Sequence, residues 1–323
     1  MSFFQARSTS PGFPFPFYEL PEDLVYSIFE ALASDTKGLG CHCAQVSKQV
    51  QRWIEPIIYR HIHLTSAPKM TLFHRTVVSH PCKSPDFFSK HVKTVSVSGI
   101  STWEALLEIL YACQGVERLE LAGAFLHDDL ESRSPVKIGA SYVWKMLRPR
   151  TLRVPGVLFL PENRHFRLTR DSPNPIFGNV THLELSISPA TKNWNWSSLS
   201  RLKKLTHLCL ASSPSVAAIQ LTAEYLREAI PHFPPTLVVC AFAIPYTLWH
   251  PDSQRLVEEN SDLDERVVVA VKYAQASPDE EWARMVTWRY SNGDDLEVLS
   301  WSSFWKRAEA MVSRRRSMAK ALQ

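Results

Sequence analysis

The sequence predicts an α/β chain: an N-terminal helical module, then an irregular array of parallel strands with outer helices, closed by a C-terminal capping helix. Three observations carry this. Near the start, Leu24, Ile28, Phe29 and Leu32 recur at helical spacing. Further on, a unit of form apolar-x-x-apolar-x-apolar returns five times. Between these strand-like units lie amphipathic stretches of helical period. At 323 residues the chain exceeds what one hydrophobic core usually serves, which suits a core drawn out along repeats.

Residues 1–18 alternate Pro11, Pro14 and Pro16 with Phe13, Phe15 and Phe17, a density of proline that excludes a helix and predicts a flexible leader. From Glu19 the pattern changes. Pro21 suits a helix's first turn, and Glu22 and Asp23 suit its positive end. The stripe that follows is broken at 35–40 by two glycines. A second helix is expected from about Cys41 to Glu55, with Cys43, Val46, Val50, Trp53 and Ile54 on one side and Pro56 ending it. Ile62 and Leu64 then alternate as in a short strand.

These residues carry a resemblance. Leu20-Pro21-Glu22-Asp23-Leu24 with Ile28-Phe29-Glu30-Ala31-Leu32, then Cys43-Ala44-Gln45-Val46-Ser47-Lys48, Trp53-Ile54-Glu55-Pro56 and Tyr59-Arg60-His61-Ile62, occur together and in order. The segment 19–66 resembles an F-box, in the F-box-like form abundant in mushroom-forming fungi, although Val50 stands where many F-boxes carry an aromatic. The resemblance implies a docking surface for a Skp-type adaptor, made by Leu20, Pro21, Leu24, Ile28, Phe29, Val46 and Trp53.

The recurring units read Val92/Val95/Val97, Val116/Leu119/Leu121, Val180/Leu183/Leu185, Leu205/Leu208/Leu210 and Leu237/Cys240/Phe242, with starts 24, 64, 25 and 32 residues apart. The gap of 64 has room for two repeats, so a degenerate strand is expected near Leu152-Arg153-Val154 or Val157-Leu158-Phe159. Trp103, Leu106, Leu107, Leu110 and Cys113 form one helical face, and Val216, Ile219, Ala223, Leu226 and Ile230 another. Region 67–300 therefore resembles a leucine-rich-repeat array, an irregular one: Ile100, Ala124, Ser188 and Ser213 stand where the repeat normally places its ladder asparagine. An ordinary α/β domain with a parallel sheet has the same periodicity. Val267, Val269 and Val271 predict a further strand. In 301–323, Trp301, Phe304, Trp305, Ala308, Met311 and Val312 predict a helix over the open end of the stack, followed by the basic run Arg314-Arg315-Arg316.

Charge and composition narrow the function. The net charge is +4, with −7 across 251–300 and +5 across 301–323, so no large face is committed to phosphate and nucleic acid is not an expected partner. No apolar run reaches the length of a membrane span, and no membrane partner is expected. Six cysteines without a Cys-x-x-Cys pair are expected to be reduced and mostly buried, in a cytoplasmic and/or nuclear protein. Cys41, Cys43, His61 and His63 have the types and number for zinc, but pairs separated by one residue on a helix point about 200° apart, so no metal is expected. No nucleophile elbow, His-Glu-x-x-His, Walker-type or Gly-x-Gly-x-x-Gly pattern occurs. No catalytic residue, cofactor or small-molecule substrate is expected.

Strand alternation turns the residues between the apolar positions to the other sheet face: Thr94, Ser96 and Ser98; Arg118, Glu120 and Ala122; His182, Glu184 and Ser186; His207, Cys209 and Ala211. Arg118, Glu120, His182, Glu184 and His207 are the candidate target-binding residues on that face. Together the two resemblances imply a non-catalytic substrate receptor of a Skp–cullin–F-box ubiquitin ligase, with the adaptor, through it a cullin, and a protein target as partners. The alternative is a repeat scaffold with no ligase role, its F-box-like hairpin capping the array.

Overall fold

A computed structural model describes residues 20–35, 37–79, 83–98, 103–121, 140–155, 174–187, 195–212, 216–245, 263–273, 285–289 and 301–321. The leader 1–18, the ladder positions Ile100, Ala124, Ser188 and Ser213, the segment Val157–Phe159 and Ala122 fall outside these residues, as does the placement of the Trp103 and Val216 side chains. The chain divides into two compact units at Tyr59/Arg60.

The first unit is three helices: α1 (Glu22–Asp35), α2 (Lys37–Cys43) and α3 (Lys48–Ile58). The expected single helix over Cys41–Glu55 is two. Residues 44–46 turn, and Ser47 starts α3 afresh, its hydroxyl oxygen accepting from the Val50 amide at 3.1 Å. The expected break at 35–40 is mostly α2, because Gly40 serves packing: a Cβ there would sit 3.3 Å from Ile58 and 3.4 Å from the Ala33 backbone. Pro56 does not end α3 either. It lies in the last turn at the cost of one helical hydrogen bond, and the helix closes at Tyr59, whose amide donates to the Glu55 carbonyl at 3.0 Å. Phe29, Ala33, Cys43, Val50 and Ile54 form the core of this unit.

The second unit is built on a parallel sheet whose strands, among the described residues, are β1 (His61–Leu64), β2 (Thr94–Val97), β3 (Arg118–Leu121), β4 (Thr151–Pro155), β5 (His182–Ile187), β6 (His207–Ser212), β7 (Val239–Pro245), β8 (Val267–Tyr273) and β9 (Met285–Arg289). They lie side by side in chain order, each paired in parallel with its successor. Helices α4 (Ala67–Ser79), α5 (Phe87–His91), α6 (Trp103–Ala112), α7 (Ala140–Met146) and α8 (Val216–Ala229) lie in the connections, and short 3-10 turns at Pro175–Asn179 and Trp196–Arg201 precede β5 and β6. No helix among the described residues is long and apolar enough to cross a membrane.

The register explains the repeat. Ile62, Val95, Leu119, Leu152, Leu183, Leu208, Cys240 and Val267 form one continuous column across the strands, at most 9% exposed. Leu64 with Val97 and Leu121, and Val154 with Leu185, Leu210, Phe242 and Val269, line up two residues on. Among the described residues, the strand in the 64-residue gap is β4, at Leu152-Arg153-Val154. Ahead of each strand from β2 to β7 the same backbone device repeats. The carbonyl of Arg60 accepts from the amides of Lys93 and Thr94, Lys93 from Glu117 and Arg118, and Glu117 from Arg150 and Thr151. Arg150 then serves Thr181 and His182, Thr181 serves Thr206 and His207, and Thr206 serves Val238 and Val239. Each repeat thus satisfies the entry of the next with one carbonyl, and the strands stay in phase although their starts are 24 to 33 residues apart.

The last helix, α9 (Trp301–Ala321), is placed differently from the sequence expectation. It packs on a face of the sheet and reaches the last described strand, β9. Phe304, Trp305, Ala308 and Val312 pack on Cys209, Val239, Ala241, Ala243, Val268 and Ala270, so α9 covers the second sheet face over β6–β8. The reason is visible in those strands: in β7 and over Val267–Val271 of β8 the alternation disappears, and both faces carry apolar or small side chains, as strands covered on both sides do.

Candidate functional site

Two surfaces hold the candidate residues, one in each unit. On α1 the predicted stripe separates into two rows, because successive residues turn by about 100°. Val25, Phe29 and Ala33 face the unit's own core, while Leu24, Ile28 and Leu32 form an outward row, 50%, 37% and 38% exposed. Phe29, at 8% exposed, is therefore a core residue of the three-helix unit and not a docking residue. Pro21 is exposed and Leu20 half-buried. Val46, in the turn after α2, is 64% exposed. Trp53 is half-buried, its ring edge-to-face with Tyr26 at 5.9 Å. Leu39, in α2, belongs to the exposed apolar set as well, at 43%.

On the sheet's second face the register produces two columns. His61, Thr94, Arg118, Thr151, His182, His207 and Val239 form the first; His63, Ser96, Glu120, Arg153, Glu184, Cys209 and Ala241 form the second. The five candidate residues thus sit on one face, and small residues gather toward β6–β8. The columns pair their charges internally. The Arg118 Nε donates to Glu120 Oε1 at 2.6 Å, and Arg153 Nε lies 3.0 Å from Glu184 Oε1. Arg153 occupies in β4 the register position of Glu120 and Glu184; aligning Leu152 and Val154 with the other repeats would have found it.

Glu184 and His207 are buried, at 2% and 7% exposed, Glu184 beside Arg153 and His207 beneath α9. The His182 and His207 rings stack at 4.1 Å, 1° from parallel, and Trp305 of α9 meets both edge-on, at 5.7 and 4.8 Å. His207 Nε2 donates to Glu309 Oε1 at 2.7 Å, and its Nδ1 lies 2.8 Å from the Thr206 hydroxyl. Neither Trp305 nor Glu309 was identified from the sequence as belonging to this face. What remains open runs from β1 to β4: His61 and His63 are exposed, and Thr94, Ser96, Arg118, Glu120 and Thr151 half-buried. Among the described residues no group of three or more His, Cys, Asp or Glu side chains has the geometry to hold a metal ion.

Burial, then the neighbouring His207 and Arg118, push the His182 imidazole down to about 4. The unfolded chain, titrating near pH 6.5, then binds a proton that the folded chain refuses, so stability is held above pH 6.5 and lost as pH falls through 4. Discounted for the partial exposure of the ring, the loss attributable to His182 is about 1–2 kcal/mol. Denaturant unfolding at pH 7 and pH 4.5 is expected to show this, with a His182→Gln chain losing less stability than wild type by that amount; equal losses in both would exclude His182 as a source.

Comparison of the chain with protein-family models, with curated proteins and with solved structures finds no match.

Proposed function

We propose that the chain is an F-box-like substrate-receptor subunit of a Skp–cullin–F-box ubiquitin ligase, with the three-helix unit binding the Skp-type adaptor and an irregular leucine-rich-type array presenting a protein target. The observation that carries this reading is the outward row Leu24, Ile28 and Leu32, with Val46 exposed nearby in sequence order on the α2–α3 turn. The unit fills its own core with Val25, Phe29, Ala33, Val50 and Ile54, so this second apolar row is surplus to folding. A row of large exposed aliphatics on a charged, soluble helix marks a protein interface. The adaptor surface in this reading is Leu20, Pro21, Leu24, Ile28, Leu32, Val46 and the exposed edge of Trp53. The leucine-rich reading is supported by strands taken one after another in parallel, with apolar positions in register and spacings of 24 to 33 residues. The chain contributes proximity and leaves bond-making to its partners, in the cytoplasm and/or nucleus.

The full-length chain is expected to co-purify with a Skp adaptor. Leu24→Asp with Ile28→Asp, which sets two carboxylates in the docking row, is expected to weaken binding at least about 100-fold while the thermal transition stays unchanged. A folded wild-type chain that does not bind at micromolar concentrations would overturn the ligase reading in favour of a repeat scaffold.

A further inference from the structure

We infer that α9 is a displaceable internal occupant of a helix-binding seat on the sheet's second face, and that the seat takes an amphipathic helix of a protein target. The seat's chemistry is read from the helix that fills it. Its floor is small side chains, Cys209, Ala211, Ala241, Ala243 and Ala270, which let a helix approach the strands closely. At one end His182 and His207 form a stacked wall for Trp305, and His207 offers a hydrogen bond to the carboxylate of Glu309. At the other end Arg315 donates to the Val267 carbonyl and Arg316 pairs with Glu265 at 3.0 Å. Ten residues of helix rise about 15 Å, enough to cover the roughly 12 Å that separate the β5–β6 region from β8, so α9 runs across the strands and not along one of them. A fitting target helix carries two adjacent aromatics, a small residue three positions after the second, a carboxylate next to it and an aliphatic residue one turn on.

Displaceability follows from how lightly α9 is embedded. Of its 19 described side chains at 303–321, four are buried. In α6, five of the nine described side chains are buried, and in α8 six of eleven, so those helices cannot leave without opening the core. Helix α9 has 21 residues, long enough to keep helical character when detached, and its remaining surface is already hydrated. Its departure uncovers the floor beside the open β1–β4 face and joins the two into one continuous surface. The inference rests on the receptor reading only in naming the displacing helix as a target's.

Hydrogen exchange on the full-length chain tests it, with a labelled peptide of residues 301–321 as the probe for the seat. Amides of 306–313 are expected to exchange at least 100-fold faster than those of β5–β7, showing α9 to open before the sheet. Glu309→Gln in the chain is expected to speed α9 exchange a further 5- to 10-fold, leave β5–β7 unchanged, and raise capture of the wild-type peptide by a similar factor; a Trp305→Ala peptide should not be captured. Exchange of α9 at the rate of the strands, or no capture of the peptide by either chain, would make α9 a fixed part of the core and overturn the inference. A concentration-dependent dimer of the Glu309→Gln chain would overturn it as well, assigning the seat to a second copy. None of these readouts involves the adaptor, so failure here and failure of the ligase reading are separate results.

Discussion

Gly115→Ala is expected to leave little folded protein, or to lower stability by at least about 3 kcal/mol. A Cβ at Gly115 would lie 1.9 Å from the carbonyl oxygen of Ser89, against the roughly 3.3 Å at which carbon and carbonyl oxygen touch. The obstacle is backbone, and it is pinned. Ser89 belongs to α5, whose Phe88 is 4% exposed and wedged edge-to-face against Phe73 and Phe87. Overpacking by a methyl group costs about 1–3 kcal/mol when side chains can yield, and here a helix and the strand after it would have to move. Gly178→Ala is the control, since nothing lies within 4 Å of its added Cβ, and its effect is expected within about 0.5 kcal/mol. Thermal unfolding of the three chains decides: a Gly115→Ala transition within 2 °C of wild type would show that the turn after α6 is not held against α5.

The second large effect is expected at the buried ion pair that links β4 to β5. Arg153→Met should cost about 3–5 kcal/mol, because Glu184 stays buried, at 1% side-chain exposure, after the guanidinium 3.0 Å away is gone. The double variant Arg153→Met, Glu184→Met removes the buried charge as well and should recover most of the loss. Denaturant unfolding of the four chains in the cycle measures this. Additive losses would show that the two side chains do not act as a pair. The double variant is also informative about function, since the strands keep their register through the backbone ladder while the charge pattern of the second face changes.

Much of the sheet was legible residue by residue. Val95, Leu119, Leu183 and Leu208 announce their strands because a parallel strand against helices needs apolar side chains at alternate positions, and that period is local. Strand β4 was found by arithmetic, from a gap of twice the repeat. Strand β9, Met285–Arg289, was missed: Val286-Thr287-Trp288-Arg289 alternates over four residues only, too short a run to stand out from the acidic stretches around it. On α1 the sequence showed one stripe where the helix carries two rows. Phe29 and Ile28 are adjacent, and only the position of Val50 and Ile54 on α3 decides that Phe29 turns in and Ile28 stays out.

The candidate target face was legible as a set of residues and not as a surface. Arg118, Glu120, His182, Glu184 and His207 do share one side of the sheet, as alternation requires. Their accessibility was decided elsewhere: Arg153 from β4 takes Glu184, and Glu309, 102 residues downstream, takes His207. The loss of alternation at Val239, Ala241, Ala243 and Val268 was the available signal that something covers this face.

What the sequence by itself determined was the α/β class, the apolar columns and the order of the strands, because periods of two and 3.6 residues and short connections between neighbours are properties of contiguous chain. Only the tertiary structure decided which apolar row of α1 stays exposed and that α9 lies on the second sheet face across its last strands. Those outcomes depend on which distant side chains come to share a surface, and hydrophobic burial, being non-directional, leaves that choice to the assembled shape.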